Sequence, residues 1–221
     1  GLPFVSISPE RPLAELLADV APRLTHLPFE TLAYDPSATR DFVVRAHWAL
    51  YVENYLEGLH VPYVHPGLAK ALALAQYRTE LFAHSVLQVG PARAEDPHVL
   101  APSEKYPEER AAAYYLWVFP NTMLNVYPWG VSANVVLPEA PDRTRVRYER
   151  FVWNDSLATH GAGGALDTVE LEDDAVVEAV QRGVGARLYD QGRYAPEWEA
   201  GVHAFHQMIA RRASDPTPDE A

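Results

Sequence analysis

Between residues 54 and 68 the sequence runs NYLEGLHVPYVHPGL, gathering Glu57, His60 and His65 and breaking the run with Pro62. Neutral imidazoles and carboxylates are ligands for divalent metal ions, and a set of three leaves further positions open for chemistry. The competing reading of the same residues is a solvated polar face on an amphipathic helix. A further acid stands out much later, in DTVELEDDAVVEAVQRGVGARLYDQGR. There Val169, Val176, Val177, Val180 and Val184 form an apolar stripe, and Asp173 falls on it by spacing. Burying an ionised Asp without a partner costs several kcal/mol, so this position asks for a cation. Glu170, Glu172 and Asp174 are explained equally well as acids near a helix N-terminus, which the macrodipole favours by about 0.3 to 1 kcal/mol. Asp174 stays the competing carboxylate. Two imidazoles and one carboxylate are the set that holds non-haem Fe(II) with positions left open.

Two helices and a bend must bring these side chains together. Trp48, Tyr51, Val52, Tyr55 and Leu59 recur at spacings of three and four, which predicts one helix with Asn54, Glu57 and His60 on its opposite face. Pro62 lacks an N–H and clashes with the carbonyl four residues back, so His65 lies beyond a kink or in a loop. Upstream, residues 11–24 predict a short helix around LAELLADV, and TLAYD and RDFVVRAHW read as extended. RTELFAHSVLQV, AAAYYLWVF, TMLNVYP, VSANVVLP and RTRVRYERFVW are rich in β-branched and aromatic residues, with turn signals at PN, PWG and EAPD. Such runs predict an antiparallel meander. The connection PARAEDPHVLAPSEKYPEER is too rich in proline for regular structure and long enough to be a lid.

The final zone reads as helical over residues 167–193, with Asp167 and Glu170 spaced as a capping box. A last helix is entered at Pro196, with Trp198, Val202, Phe205 and Ile209 on one face. An antiparallel sheet followed by a helix pair is α+β. Tyr115, Trp117, Phe119, Tyr127 and Trp129 read first as strand core and in part as pocket lining. His47, His84, His98, His203 and His206 read as structural or surface residues.

A chain of 221 residues supports one sizeable core, so residues 1–213 are expected to form a single domain and SDPTPDEA, residues 214–221, a disordered tail. Thirty acidic against eighteen basic residues give a net charge of -12, which argues against binding a phosphate backbone. No apolar run approaches the roughly 20 residues that span a bilayer, and GLPFVSISPE lacks the features of a signal peptide, so the expected location is the cytoplasm. The chain has no cysteine, which excludes thiolate-ligated zinc and thiolate-held iron–sulfur clusters within it.

ENYLEGLHVPYVHP, with its acid-x2-His-x4-His spacing, and LEDDAVVEAVQRG carry a resemblance to a known family, supported by FPNTMLNVYPWG and EAGVHAFHQMI. The chain resembles the C-terminal catalytic domain of Rieske non-haem iron oxygenases, the large (alpha) subunits of ring-hydroxylating dioxygenases and related monooxygenases. The resemblance covers most of the chain and implies a helix-grip fold, a large antiparallel sheet against a long C-terminal helix. It implies Fe(II) held by His60, His65 and Asp173, the last lying eight residues before Gln181. It also implies that Glu57 links the iron ligands to a neighbouring subunit's Rieske cluster, and that Asn54 lies near the iron. Dioxygen and an apolar, aromatic small molecule would be the substrates, hydroxylated with two electrons from a Rieske [2Fe–2S] centre served by a ferredoxin or reductase, in a homotrimer. That centre needs cysteines this chain lacks, so it is expected on a missing domain or partner chain. GLPFVSISPE resembles the strand that follows the Rieske domain, so the chain is expected to begin where that domain would end. A different class also fits, a helix-grip protein that binds a hydrophobic ligand without catalysis and carries a vestigial or adventitious metal site.

Overall fold

Seven strands make one antiparallel sheet: β1 (Ala33–Val44), β2 (Arg78–Leu81), β3 (Ser85–Pro91), β4 (Ala111–Val118), β5 (Thr122–Tyr127), β6 (Gly130–Ala140) and β7 (Arg143–Val152). Their order is β1-β7-β6-β5-β4-β3-β2, so the expected meander runs from β2 to β7 and β1 closes against its last strand. The computed structural model describes residues 4–5, 9, 11–164 and 166–214. The expected strand in residues 1–10 and the expected tail lie almost wholly outside the described residues.

Two departures from the sequence pattern concern the sheet. RTELFAHSVLQV is two strands, not one: Asp19 accepts the Ala83 N–H at 2.8 Å, Phe82 N donates to Ser85 O at 2.9 Å, and the chain doubles back. The proline-rich segment between β3 and β4 is docked. Ala92 N donates to Arg110 O and Leu100 N to Ala111 O, both at 2.8 Å, and Leu100 is buried. The PWG signal does turn the chain, and Gly130 is required there, since a Cβ would lie 2.1 Å from Phe151 O.

Strand pairing sets Val86, Gln88, Tyr115, Trp117, Met123 and Asn125 on one face and Leu87, Tyr114, Leu116 and Val118 on the other. The second face is covered by Leu16, Leu17, Val20, Leu24 and Leu27, from the short helix α1 (Leu13–Leu16) and the turns after it. With both faces covered, β3 and β4 become nearly continuous buried runs.

The first face carries α2 (Trp48–Tyr55), α3 (Val61–Val64), α4 (Pro66–Ala71), α5 (Leu166–Val184) and α6 (Ala200–Ser214). The His47 Nδ1 caps α2 by accepting the Ala49 N–H. α2 stops at Tyr55, a turn early, because the Glu57 carboxylate accepts the N–H groups of Leu59 and His60 and takes them from helical carbonyls. Leu59 is consequently exposed, and Asn54, Glu57 and His60 do not share a helical face. α5 ends at Val184, short of residue 193, beside Gly183 and Gly185. α6 starts at Ala200, so Trp198 precedes it, while Val202, Phe205 and Ile209 do meet the core and Ser214 is its last residue. At Gly201 a Cβ would lie 2.5 Å from Leu56 O, which is why α6 can press on the end of α2.

Phe205 is fully buried, edge-on to Trp48 at 5.6 Å and to Trp117 at 5.3 Å, and so joins α2, α6 and the sheet. Phe205→Ala is expected to destabilise the fold by about 3 to 5 kcal/mol in urea unfolding. A loss under about 1 kcal/mol would show that this ring is not the joint between the layers.

Candidate metal centre

His60 immediately precedes α3, and His65 is the single residue between α3 and α4. Pro62 and Pro66 each sit in the first turn of these helices, where a missing N–H costs nothing. The two short helices therefore bend the chain at His65, and its ring returns to within 5.0 Å of the His60 ring, at 82° to it. α5 brings Asp173 to the same place from across the sequence. The three side chains each offer one ligand atom, all within 4.8 Å of one another. Asp173 Oδ1 lies 3.0 Å from His65 Nε2 and 3.5 Å from His60 Nε2.

The outward nitrogens are also held. His60 Nδ1 pairs with Glu57 Oε1 at 2.5 Å and His65 Nδ1 with Glu172 Oε2 at 2.7 Å. Carboxylates in these positions fix the ring orientation and leave both Nε2 atoms facing inward. Asn54 Nδ2 donates to Asp173 Oδ1 at 2.6 Å. Burial disfavours the charged form of His65, but hydrogen bonds and charge from Asp173 and Glu172 outweigh it and hold the imidazole above its ordinary range. Two inward imidazole nitrogens, one carboxylate oxygen and an acid behind each ring form a donor set suited to a mononuclear divalent ion such as Fe(II).

Spacing singled out Glu57, His60, His65 and Asp173, the resemblance added Asn54, and the five side chains meet here. Asp174 does not join the group. Burial first, then the charge of Asp173, pushes its carboxyl up to about 6, and its Oδ1 is buried without a hydrogen-bond partner. The stripe is narrower than spacing predicts, with Val177 buried but Val180 43% exposed. Two acids were missed. Glu172 supports His65, and Glu170 forms no capping box with Asp167 but is buried, accepting the hydroxyls of Tyr51 and Tyr148. The signal for Glu170 was present, because it lies three residues before Asp173 and nearly shares its helical face.

A cavity opens from the three donors, walled by Tyr51, Tyr55, Tyr77, Tyr115 and Tyr127, by Leu68 and Leu72, and by Gln88, Asn125 and Asn134. No residue of the segment between β3 and β4 lines it, so the expected lid is absent from its wall. Burial raises all five phenols, which keeps them neutral. Glu170 lines the same cavity, and burial, followed by the charge of Asp173, pushes its carboxyl up to about 8. A carboxyl raised from 4.5 binds its proton more tightly folded than unfolded, so its stabilising contribution is full below pH 4.5 and lost as pH rises towards 8. In metal-free protein, the melting temperature of Glu170→Gln relative to wild type is therefore expected to climb across that window. A flat difference in melts from pH 5 to 8 would contradict it.

A helix-grip α+β sheet with two histidines and one carboxylate converging beside an aromatic-walled cavity defines a domain built around a candidate mononuclear metal centre. The chain belongs to the ring hydroxylating alpha subunit (catalytic domain) family, whose model matches residues 29–215. It is 34% identical over 179 residues to the chloroplastic choline monooxygenase of Arabidopsis thaliana, covering 77% of this chain and 40% of that protein. It is 28% identical over 232 residues to the carnitine monooxygenase oxygenase subunit of Escherichia coli K12, covering 97% of this chain and 60% of that one. The chain thus spans about half the length of these relatives. Among solved structures, a quaternary ammonium Rieske monooxygenase bound to an inhibitor superposes with a TM-score of 0.70 at 25% identity, over 91% of this chain and 56% of that one. Naphthalene 1,2-dioxygenase from a Rhodococcus species shares the fold, with a TM-score of 0.66 at 17% identity over 96% of this chain and 64% of that one. No helix among the described residues is long and apolar enough to cross a membrane.

Proposed function

We propose that the chain is the catalytic domain of a Rieske-type oxygenase in which His60, His65 and Asp173 hold Fe(II), and that its substrate is a quaternary ammonium compound. The observation that carries this reading is the grouping of those three donors within 4.8 Å at the edge of a tyrosine-walled cavity. The substrate class departs from the aromatic compound expected from the sequence. Its support is twofold: the relatives with 28 to 34% identity are named for choline and carnitine, and the cavity is lined by neutral tyrosines. Aromatic faces attract a desolvated quaternary ammonium by about 0.5 to 2 kcal/mol each, and need no proton donor from it.

When bound, Fe(II) supplies open coordination positions and activates dioxygen. The remaining roles belong to side chains. Glu57 and Glu172 accept the Nδ1 protons of His60 and His65, leaving each Nε2 lone pair for the metal. Asn54 orients the Asp173 carboxylate. The tyrosines and leucines exclude water around the reacting carbon. One oxygen atom of O2 enters a substrate C–H bond and the other leaves as water, which consumes two electrons and two protons. With no cysteine here, those electrons come from a Rieske [2Fe–2S] centre on another domain or chain, supplied by a ferredoxin or reductase. In a homotrimer, Glu57 is the relay from a neighbouring subunit's cluster to His60.

Metal analysis of protein purified without chelating resin should find stoichiometric iron, lost from the His60→Ala, His65→Ala double variant. Glu57→Gln should keep its iron and lose most turnover when a Rieske-bearing partner is supplied. Full iron occupancy in the double variant would overturn the ligand assignment. Substoichiometric mixed zinc and nickel, with small-molecule binding intact, would favour the non-catalytic binding protein.

A further inference from the structure

The cavity wall carries several acids and no Lys or Arg among its described residues. Its acids are Glu57, Glu170 and Asp173. Glu57 and Asp173 are already engaged by His60, His65 and Asn54. Glu170 has no such partner. It is 8% exposed, and the hydroxyls of Tyr51 and Tyr148 both reach the same atom, Oε2. Among the described residues, Oε1 accepts no hydrogen bond and no cationic side chain comes within ion-pair distance.

A buried carboxylate supported only by two phenols lacks a counter-charge, and keeping it ionised in that state costs several kcal/mol. The protein does not supply one from the adjoining cleft, which Glu170 also borders. There Arg150 is held by Asp35 at 3.3 Å and Asp155 at 3.1 Å, and Arg40 donates to the carbonyls of Ser37 and Thr39. The upward displacement of the Glu170 carboxyl has the same origin, a charge that burial leaves uncompensated. Gln88 also lines the cavity. It commits its Nε2 to Tyr55 O at 2.5 Å, and its Oε1 is buried with no partner.

We propose that Glu170 is the counter-charge of a cation subsite, and that the cavity selects a quaternary ammonium alcohol over a zwitterion carrying a carboxylate. This rests on the reading that the ligand is a quaternary ammonium compound and narrows it. A cation placed in the cavity beside Glu170, among Tyr51, Tyr55 and Tyr127, gains a carboxylate as well as ring faces. The carboxylate of a zwitterion would be desolvated near Glu170, with no guanidinium or ammonium among the described lining residues to receive it.

Calorimetric binding of choline, L-carnitine and 3,3-dimethylbutan-1-ol to the 221-residue chain tests this, the last being an uncharged carbon isostere of choline. Choline is expected to bind at least about tenfold tighter than either of the others. Glu170→Gln should weaken choline by about tenfold and leave the isostere within about threefold. Carnitine binding as tightly as choline, or choline no tighter than its isostere, would overturn the subsite while leaving the broader quaternary ammonium reading standing. Those comparisons use wild-type protein and hold even where the variant fails to fold. Retained preference for choline over the isostere in a folded Glu170→Gln variant would also overturn it. Absence of binding by both choline and L-carnitine would sink the quaternary ammonium reading itself, and the subsite with it.

Discussion

Negative charge concentrated around two imidazoles is the constraint to which the rest of this structure answers. Glu57, Glu172 and Asp173 all contact His60 or His65, and Glu170 and Asp174 lie within electrostatic reach of Asp173 on the same helix. Like charges at such separations repel, and partial burial strengthens the repulsion because water no longer screens it. His65 answers by holding its proton more firmly, and Glu170 and Asp174 answer by holding theirs. A divalent cation at the meeting of the three donors would relieve the same imbalance more completely, since it offsets two charges at one point.

The fold keeps these groups in place against that repulsion. A sheet buried on both faces is a stiff platform, and α2 is fixed to it by Gln88, whose amide donates to the Tyr55 carbonyl, and by the Tyr55 hydroxyl, which donates to Asn125. Phe205 wedges α6 against Trp48 and Trp117 from the other side. With both ends of α2 anchored, the bend that follows has little freedom. Pro62 and Pro66 then divide it into two short helices, with His65 at the joint. Flexible loops would place two imidazoles with far less precision.

The cavity shows how a polar wall can serve an apolar space. Its phenols are neutral because burial disfavours phenolate, so they present ring faces and hydroxyl dipoles without adding net charge. Among the described residues lining it, the ionisable groups besides the phenols are carboxylates and imidazoles, with no Lys or Arg, and the proposed cation subsite rests on this asymmetry. The shared fold with a naphthalene dioxygenase, at 17% identity, does not speak to the ligand, because a fold does not fix the side chains that line its cavity.

The grouping of Glu57, His60 and His65 and the misplaced Asp173 were legible in the sequence because they rest on local rules, namely the His60 and His65 spacing, the break at Pro62 and an acid on an apolar helical stripe, whereas Asn54 entered through the resemblance and its contact with Asp173 spans 119 residues. The meander was legible for the same reason, as alternation and turn residues act over a few positions. The split of RTELFAHSVLQV, the closure of β1 on β7 and the docking of the segment before β4 were not, since each depends on partners that only folding supplies. Glu170 and Glu172 show the limit most clearly. Sequence placed both near a helix N-terminus, but Glu170 meets Tyr51 at a separation of 119 residues and Glu172 meets His65 at 107. Spacing along a helix states which side chains share a face. What that face touches, and therefore whether an acid is solvated, supports a ligand or lacks a counter-charge, was decided only by the packing of α5 against α2 and the sheet.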